Sequence, residues 1–326
     1  MKMNKENEFF PKDFEFEKLV KKAKKRSMIK MVLISLVISL IVLTGLYFIG
    51  DTVMKMKMER ETNLDSTWNG IIGANIEERG TTYNYSPTSA TAKTKLVKTV
   101  GGVPIPWGEQ EKVFTILGTS RLITTDGPSG FGSIEDERIP LYYQGERVVE
   151  FFHPQVNYKQ IFDDRALLNN INDNSLVEMA FSFNKGYSIE EVNEVFKEQL
   201  AWYWVDTFSK DDIKEYSELN EDENFSRDYT IDGFNAYGFQ YKQHPEANPA
   251  SNFISIIEMV KEDGGNYQNE AEEIFNNITN QGKMKLEPQN LKIIGVVVTG
   301  KPSDLIKFSD KSMIRGATLG ATTDQY

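Results

Sequence analysis

The chain of 326 residues has no cysteine and only two histidines. Without cysteine there is no disulfide framework, no thiolate zinc site and no thiol nucleophile. His153 and His244 each precede a proline, lie far apart, and form neither an H-x-x-x-H nor an H-E-x-x-H pattern. A basic balance is missing as well: 37 Lys and Arg face 48 Asp and Glu, for a formal net charge of −11. That argues against a nucleic-acid partner, whose polyanionic backbone calls for a basic surface. The length leaves room for about two globular domains.

Local catalytic patterns are equally scarce. Gly127-Pro128-Ser129-Gly130 approaches a nucleophile elbow, but Phe131 stands where G-x-S-x-G needs its second glycine. The same glycines, with Gly132, lack the Lys-Ser/Thr ending of a phosphate loop, so a flexible turn is the simpler reading. The acidic clusters Glu221-Asp222-Glu223 and Glu262-Asp263 lack the spaced ligands of a calcium loop and read as solvated faces. Trp202-Tyr203-Trp204 could contact a glycan, although alternate burial in a sheet explains it more simply. No catalytic, cofactor-binding or metal-ligating residue is assigned, and no enzyme is expected.

What the sequence does have is a long uncharged run. MVLISLVISLIVLTGLYFIG extends from Met31 to Gly50. As a helix rising about 1.5 Å per residue it would cover about 30 Å, the thickness of a bilayer's hydrocarbon core. Ser35, Ser39 and Thr44 can bond back to helix carbonyls, and Tyr47 and Phe48 suit the interface. The run exceeds the roughly 7–15 apolar residues of a signal peptide, and Asp51-Thr52-Val53-Met54 offers no small-residue cleavage site. Residues 1–30 carry ten Lys and Arg and five acids, a net +5, which leaves −16 for the rest. The heavier basic flank precedes the span, so the expected topology is single-pass in the cell membrane. The N-terminus would be cytoplasmic and the C-terminal part extracytoplasmic.

In the basic arm, Pro11 could open a helix on which Phe16, Leu19, Val20 and Ala23 fall at i, i+3, i+4 and i+7. Lys18, Lys21, Lys22 and Lys25 occupy the opposite face. Such a helix can rest on anionic membrane lipid or dock on a cytoplasmic partner, and both readings use the same apolar stripe. Phe16, Leu19, Val20 and Ala23 are therefore the candidate partner-binding residues.

The expected fold class is α+β: one N-terminal transmembrane helix, a strand-rich region, and a C-terminal α+β domain. The divisions are a basic arm at 1–30, a span at 31–50, a juxtamembrane helical stalk at 51–75, a strand-rich region at 76–165 and the C-terminal domain at 170–326. Thr81–Thr99 reads as loop or weak strand and Lys112–Gly118 as a strand. Ile139–Tyr143 and Glu146–His153 flank Gln144-Gly145 as a hairpin, and Ile161–Ile171 looks helical. Further strands are expected at Val177–Phe183, Ala201–Phe208, Tyr237–Tyr241, Leu291–Thr299 and Met313–Leu319. Ser188-x-x-Glu191 forms a capping box for a helix at Ile189–Gln199. Ser209–Asp232 is expected as loop with a short helix. Asn269–Asn280, with Ala271, Ile274, Phe275 and Ile278 on one side, reads as a helix, and Pro302–Phe308 as a short one.

These pieces carry a resemblance. KLVKKAKKRSMIK, entering the span, resembles the N-terminal module of the Firmicute sigma factor regulator (anti-sigma factor) family. The C-terminal portion resembles it through Glu178–Phe183, YSIEEV at Tyr187–Val192, WYWVDTF at Trp202–Phe208, GVVVTGKPSDL at Gly295–Leu305 and the closing Ile314–Gly320. The intervening YYQGERVVEFFHPQVNY, Tyr142–Tyr158, is similar too. The resemblance implies a single-pass membrane regulator whose outer part senses envelope state. Its inner part would hold an extracytoplasmic-function sigma factor away from RNA polymerase, with a second membrane protein open as an additional partner. The other reading is an envelope-anchored module recognising a cell-wall polymer or another membrane protein, without direct sigma binding.

Overall fold

The computed structural model describes residues 11–123, 127–128, 133–134, 137–222, 227–241 and 248–324. His244, Glu223 and most of the Gly127–Gly132 turn lie outside the described residues.

Helix α1 runs unbroken from Pro11 to Asn69, 59 residues, so arm, apolar run and stalk share one helix about 90 Å long. No proline or cap interrupts it beyond Pro11, and its two glycines, Gly45 and Gly50, cost too little to stop a helix already nucleated on both sides. It is the one helix among the described residues long and apolar enough to cross a membrane. Residues 31–49 are exposed on every face. Beyond Gly50 the pattern changes. Met54, Met58, Glu61, Asp65 and Trp68 recur at alternate steps of four and three, and Met54, Met58 and Trp68 are buried.

That stripe is covered by an antiparallel sheet of four strands in the order β1-β2-β3-β4: Ile76–Tyr85, Ser89–Val100, Val103–Thr115 and Ser120–Leu122. Met54 and Met58 pack with Ala90, Ala92 and Phe114. The segment Thr81–Thr99, expected as loop or weak strand, is thus the pairing of β1 with β2. Its inward positions on β2 are Ala90, Ala92, Thr94, Leu96, Lys98 and Val100. Small side chains and a lysine fill that face, so the apolar alternation that advertises a half-buried strand is weak.

The C-terminal portion holds a five-stranded antiparallel sheet. Its strands are β5 (Ser175–Tyr187), β6 (Leu200–Val205), β7 (Gly238–Gln240), β8 (Ile293–Gly300) and β9 (Ile314–Asp324), ordered β7-β6-β8-β5-β9. Helices α2 (Ile189–Phe196), α4 (Pro249–Asp263) and α5 (Gln268–Ile278) cover one face, where Val192, Phe196, Phe253, Ile257 and Ile274 meet Met179, Phe181, Tyr203 and Val205. Helix α3 (Lys210–Glu221) and the segment around Phe151 lie on the other, where Trp202 and Trp204 point. The alternation of Trp202 and Trp204 against Tyr203 and Val205 follows from the two-residue period of a strand. Sheets with helices packed to the faces make the chain α+β.

Several elements depart from the sequence reading. Helix α4 had no counterpart, although Asn248 caps Ser251 N and Pro249 opens its first turn. Its buried residues Ala250, Phe253, Ile254, Ile256, Ile257 and Val260 share one side of the helix, with Asn252, Ser255, Glu258 and Met259 exposed on the other. Ile161–Ile171 contains a 3-10 helix, Asp164–Asn170, capped by Asp163. The hairpin at Gln144-Gly145 pairs only Tyr142–Tyr143 with Glu146–Arg147. The chain then leaves its partner, and Glu150–Phe151 pairs instead with Ile231–Asp232. That switch places Phe151 4.8 Å from Trp204, ring centroid to ring centroid.

Trp204 is fully buried against Phe151, His153 and Phe208. Trp204→Ala should destabilise the C-terminal domain by about 3–5 kcal/mol, the usual range for truncating a buried aromatic. Urea unfolding followed by circular dichroism measures this, and an unchanged midpoint would contradict the core described.

Candidate functional site

The candidate partner-binding residues sit on the free N-terminal part of α1. Phe16 is 69% exposed and Leu19 64%, with Val20 and Ala23 exposed beside them. The helix brings the four onto one face, and no other described element covers them. Lys21 and Glu17 form an exposed i,i+4 pair at 3.9 Å, a contact of little energetic weight.

The more elaborate constellation lies where the two sheets meet. Lys98 on β2 and Glu178 on β5 have side chains with 0% exposure. The lysine Nζ is 3.0 and 2.8 Å from the two carboxylate oxygens. Asn75 Nδ2 donates to Glu178 Oε1 at 3.0 Å and to the Thr99 carbonyl at 3.1 Å, and Ala321 N donates to Oε2 at 3.2 Å. The ammonium also lies 4.3 Å from the centroid of the Trp107 ring, a cation–π contact strengthened by the absence of solvent. Removing either charge would strand the other in a dry interior, whereas the pair with its full set of donors is tolerated. Asn75 adopts φ +58°, a left-handed conformation that asparagine accepts more readily than most residues.

Glycine completes this arrangement. A Cβ at Gly320 would stand 2.4 Å from Glu178 Oε2. The closing Arg315–Gly320 segment therefore has a spatial reason. Arg315 donates to the carbonyls of His153 (2.7 Å) and Val156 (3.1 Å), while Gly320 leaves room for the carboxylate.

A second ionic group ties α1 to the first sheet. Lys112 Nζ is 2.7 Å from Glu61 Oε2 and 3.0 Å from Asp65 Oδ2. Ser120 Oγ donates to Glu61 Oε1 at 3.0 Å, and the Tyr267 hydroxyl donates to Asp65 Oδ1 at 2.9 Å. Burial alone would raise the Glu61 carboxyl, but hydrogen bonds from Lys112 and Ser120 and the charges of Lys112 and Lys57 outweigh it, leaving its pKa below the ordinary value. Burial would lower Lys112, yet its bonds to Glu61 and Asp65 hold it above the ordinary lysine value.

His153 has 0% side-chain exposure, between the rings of Trp204 and Phe208. Its Nδ1 accepts from Gln155 N at 3.2 Å, and Nε2 faces Asp206 Oδ1 at 3.2 Å. With Nδ1 occupied as acceptor, the proton belongs on Nε2, and the ring acts as a structural staple. Among the described residues no three His, Asp or Glu side chains converge as metal ligands. The sequence did not point to the pairing of Lys98 with Glu178, because a buried pair formed across 80 residues leaves no local pattern.

Two outcomes follow. Glu178→Ala should cost about 3–5 kcal/mol by leaving Lys98 buried and unpaired, and Lys98→Met with Glu178→Gln should recover much of that loss; chemical unfolding of the three chains checks the order. Lowered carboxylates such as Glu61 stabilise the fold above their unfolded value, near pH 4, and that contribution disappears as pH falls through the lowered value. Lys112, being raised, contributes below about pH 10 and loses its contribution as pH rises through its higher value. The melting temperature should therefore be lower at pH 3 than at pH 7, and Glu61→Gln should narrow that difference.

No curated protein and no solved structure matches the chain significantly. A family model described as sigma factor regulator C-terminal matches residues 168–321. That region contains β5 with Glu178, the buried tryptophans of β6, β8, and β9 through Ala321. Lys98, the partner of Glu178, lies outside it. The C-terminal domain, over residues 168–321, is thus similar to the sigma factor regulator family.

Proposed function

We propose that the protein is a membrane-anchored anti-sigma factor. Its helix α1 crosses the cell membrane once, its basic arm binds an extracytoplasmic-function sigma factor on the cytoplasmic side, and its outer body responds to the state of the envelope. The carrying observation is the sigma factor regulator match at residues 168–321. The basic flank before the apolar run supports the orientation, since cytoplasmic segments carry the excess of Lys and Arg.

On this reading the stripe Phe16, Leu19, Val20 and Ala23 is the docking face, and the surrounding lysines hold the arm close to anionic lipid. The unbroken helix supports a mechanical link, because a body joined to α1 beyond Gly50 cannot turn without turning the arm. No catalytic step enters the reading; the protein would act by occupying sigma and releasing it.

A second reading, an envelope-anchored module for a cell-wall polymer or another membrane protein, is favoured by one feature. An open groove of about 840 Å³ lies between the first sheet and the end of β9, lined by Arg79, Lys93, Lys95, Tyr143, Glu146 and Thr322 among others. Its mixed charge and hydroxyls suit a polar ligand.

The separating experiment expresses the full chain with the sigma factor encoded beside it and a promoter that this sigma factor serves. Each of Leu19 and Val20, if buried on sigma, contributes about 1.5–3 kcal/mol. Leu19→Asp with Val20→Asp should therefore weaken co-purification of sigma by orders of magnitude and raise reporter output. Unchanged output at normal protein levels would sink docking by this face. A reporter fused after Tyr326 should behave as extracytoplasmic, and a cytoplasmic signal there would reverse the orientation.

A further inference from the structure

The first sheet stands alongside the part of α1 beyond Gly50 in a definite direction. Asn69 Nδ2 donates to Gln110 Oε1 at 3.2 Å, Asp65 and Glu61 hold Lys112, and Met58 and Met54 pack with Phe114. Gly50, the last residue of the apolar run, comes next. A Cβ built there would lie 2.7 Å from Ile116 O and 3.2 Å from Ile116 Cβ. Strand β3 therefore descends α1 in antiparallel register, and the turn after it reaches the helix where the apolar run ends. Only glycine at position 50 allows this approach of turn backbone to helix.

The tip is held firmly. Lys57 Nζ donates to the Gly118 carbonyl at 2.7 Å, Thr115 and Thr119 hydroxyls bond at 2.7 Å, and Gly118 turns the chain with φ +76°. Ile116 N donates to Thr88 O at 3.1 Å, which joins this tip to the neighbouring turn between β1 and β2. On that anchored tip Leu117 is 86% exposed, the most exposed large apolar side chain among the described residues. Tyr85, at the end of β1, is exposed too, with Lys55 Nζ 5.9 Å from its ring centroid. Among the described residues Leu117 packs into none of the apolar clusters. It follows Ile116, which meets α1 at Gly50, next in sequence to the exposed apolar residues Phe48 and Ile49.

We infer that the two hairpin tips form a membrane-contact surface, with Leu117 entering the lipid interface beside the span and Tyr85 lying at headgroup level. Leucine prefers the apolar side of that boundary, and a tyrosine ring with a nearby lysine suits its polar side. The body would thus touch the bilayer at two places, the helix and the sheet, which fixes its tilt above the membrane. The inference rests on the reading of residues 31–50 as a span.

The cysteine-free chain makes the test direct. Full-length single-cysteine variants Leu117→Cys, Leu40→Cys and Met259→Cys are nitroxide-labelled and reconstituted in vesicles of phosphatidylcholine and phosphatidylglycerol. Met259 lies on α4 beside Ser66 and Thr67 of α1, well away from Gly50. Collision with lipid-partitioned oxygen is then compared with collision with a water-soluble nickel chelate. The Leu117 label should show an oxygen-to-nickel ratio several-fold above that of Met259 and below that of Leu40. A Leu117 ratio equal to that of Met259, with Leu40 deep in lipid, would overturn the membrane contact and leave the span intact. A water-accessible Leu40 label would overturn the span, and the contact with it.

Discussion

A lysine on one sheet and a glutamate on another, 80 residues apart, share a site closed to solvent, and each is acceptable there only because of the other. The desolvation cost of two ions is offset by their attraction, by Asn75 and Ala321 donating to the carboxylate, and by the Trp107 ring beneath the ammonium. The consequence reaches beyond the pair. If the first sheet moved away from the C-terminal sheet, both charges would be uncovered from their partners at once. The four-stranded sheet is therefore joined to the family domain, although it lies outside the matched region. The Glu61–Lys112–Asp65 group makes the corresponding joint between that sheet and α1.

Two joints in series give the molecule its directional character. The C-terminal domain is fixed to the sheet, the sheet to the helix, and the helix continues without a break into the arm. On the proposed reading, a sigma factor regulator needs some route from its C-terminal domain to its arm. A stiff helix locked at its C-terminal end supplies one by rotation or displacement, with no hinge required. The groove beside β9 borders the same joint, since Leu96 and Thr322 in its wall are close in sequence to Lys98 and Ala321. A ligand in that groove would press on the residues that hold the two sheets together.

The sequence was most informative where one physical preference dominated. The run from Met31 to Gly50 carries no charge, and the alternation of Trp202, Tyr203, Trp204 and Val205 matches a strand buried on both faces. The capping box Ser188–Glu191 is formed as the local pattern required. It was least informative where tertiary contacts overrode local pattern. Strand β2 places Lys98 on its inward face, which conceals the strand because the compensating charge comes from Glu178. Helix α4 is an exception: both its Asn-Pro start and its one-sided apolar spacing were readable, and the sequence reading nevertheless drew no helix there. The arm stripe, Phe16, Leu19, Val20 and Ala23, was legible as a helical face. No described element covers that face.

The central claim is that the first sheet and the C-terminal sheet open as one unit because of the buried pair. Native-state hydrogen exchange on the full chain in lipid nanodiscs measures this directly. The account predicts that the slowest amides of β2, between Ala90 and Val100, and those of β5, between Val177 and Phe183, exchange through an opening of the same free energy and the same dependence on denaturant. If β2 opened at clearly lower free energy while β5 stayed protected, the two sheets would be independent, and the joint described at Lys98 and Glu178 would not govern the structure.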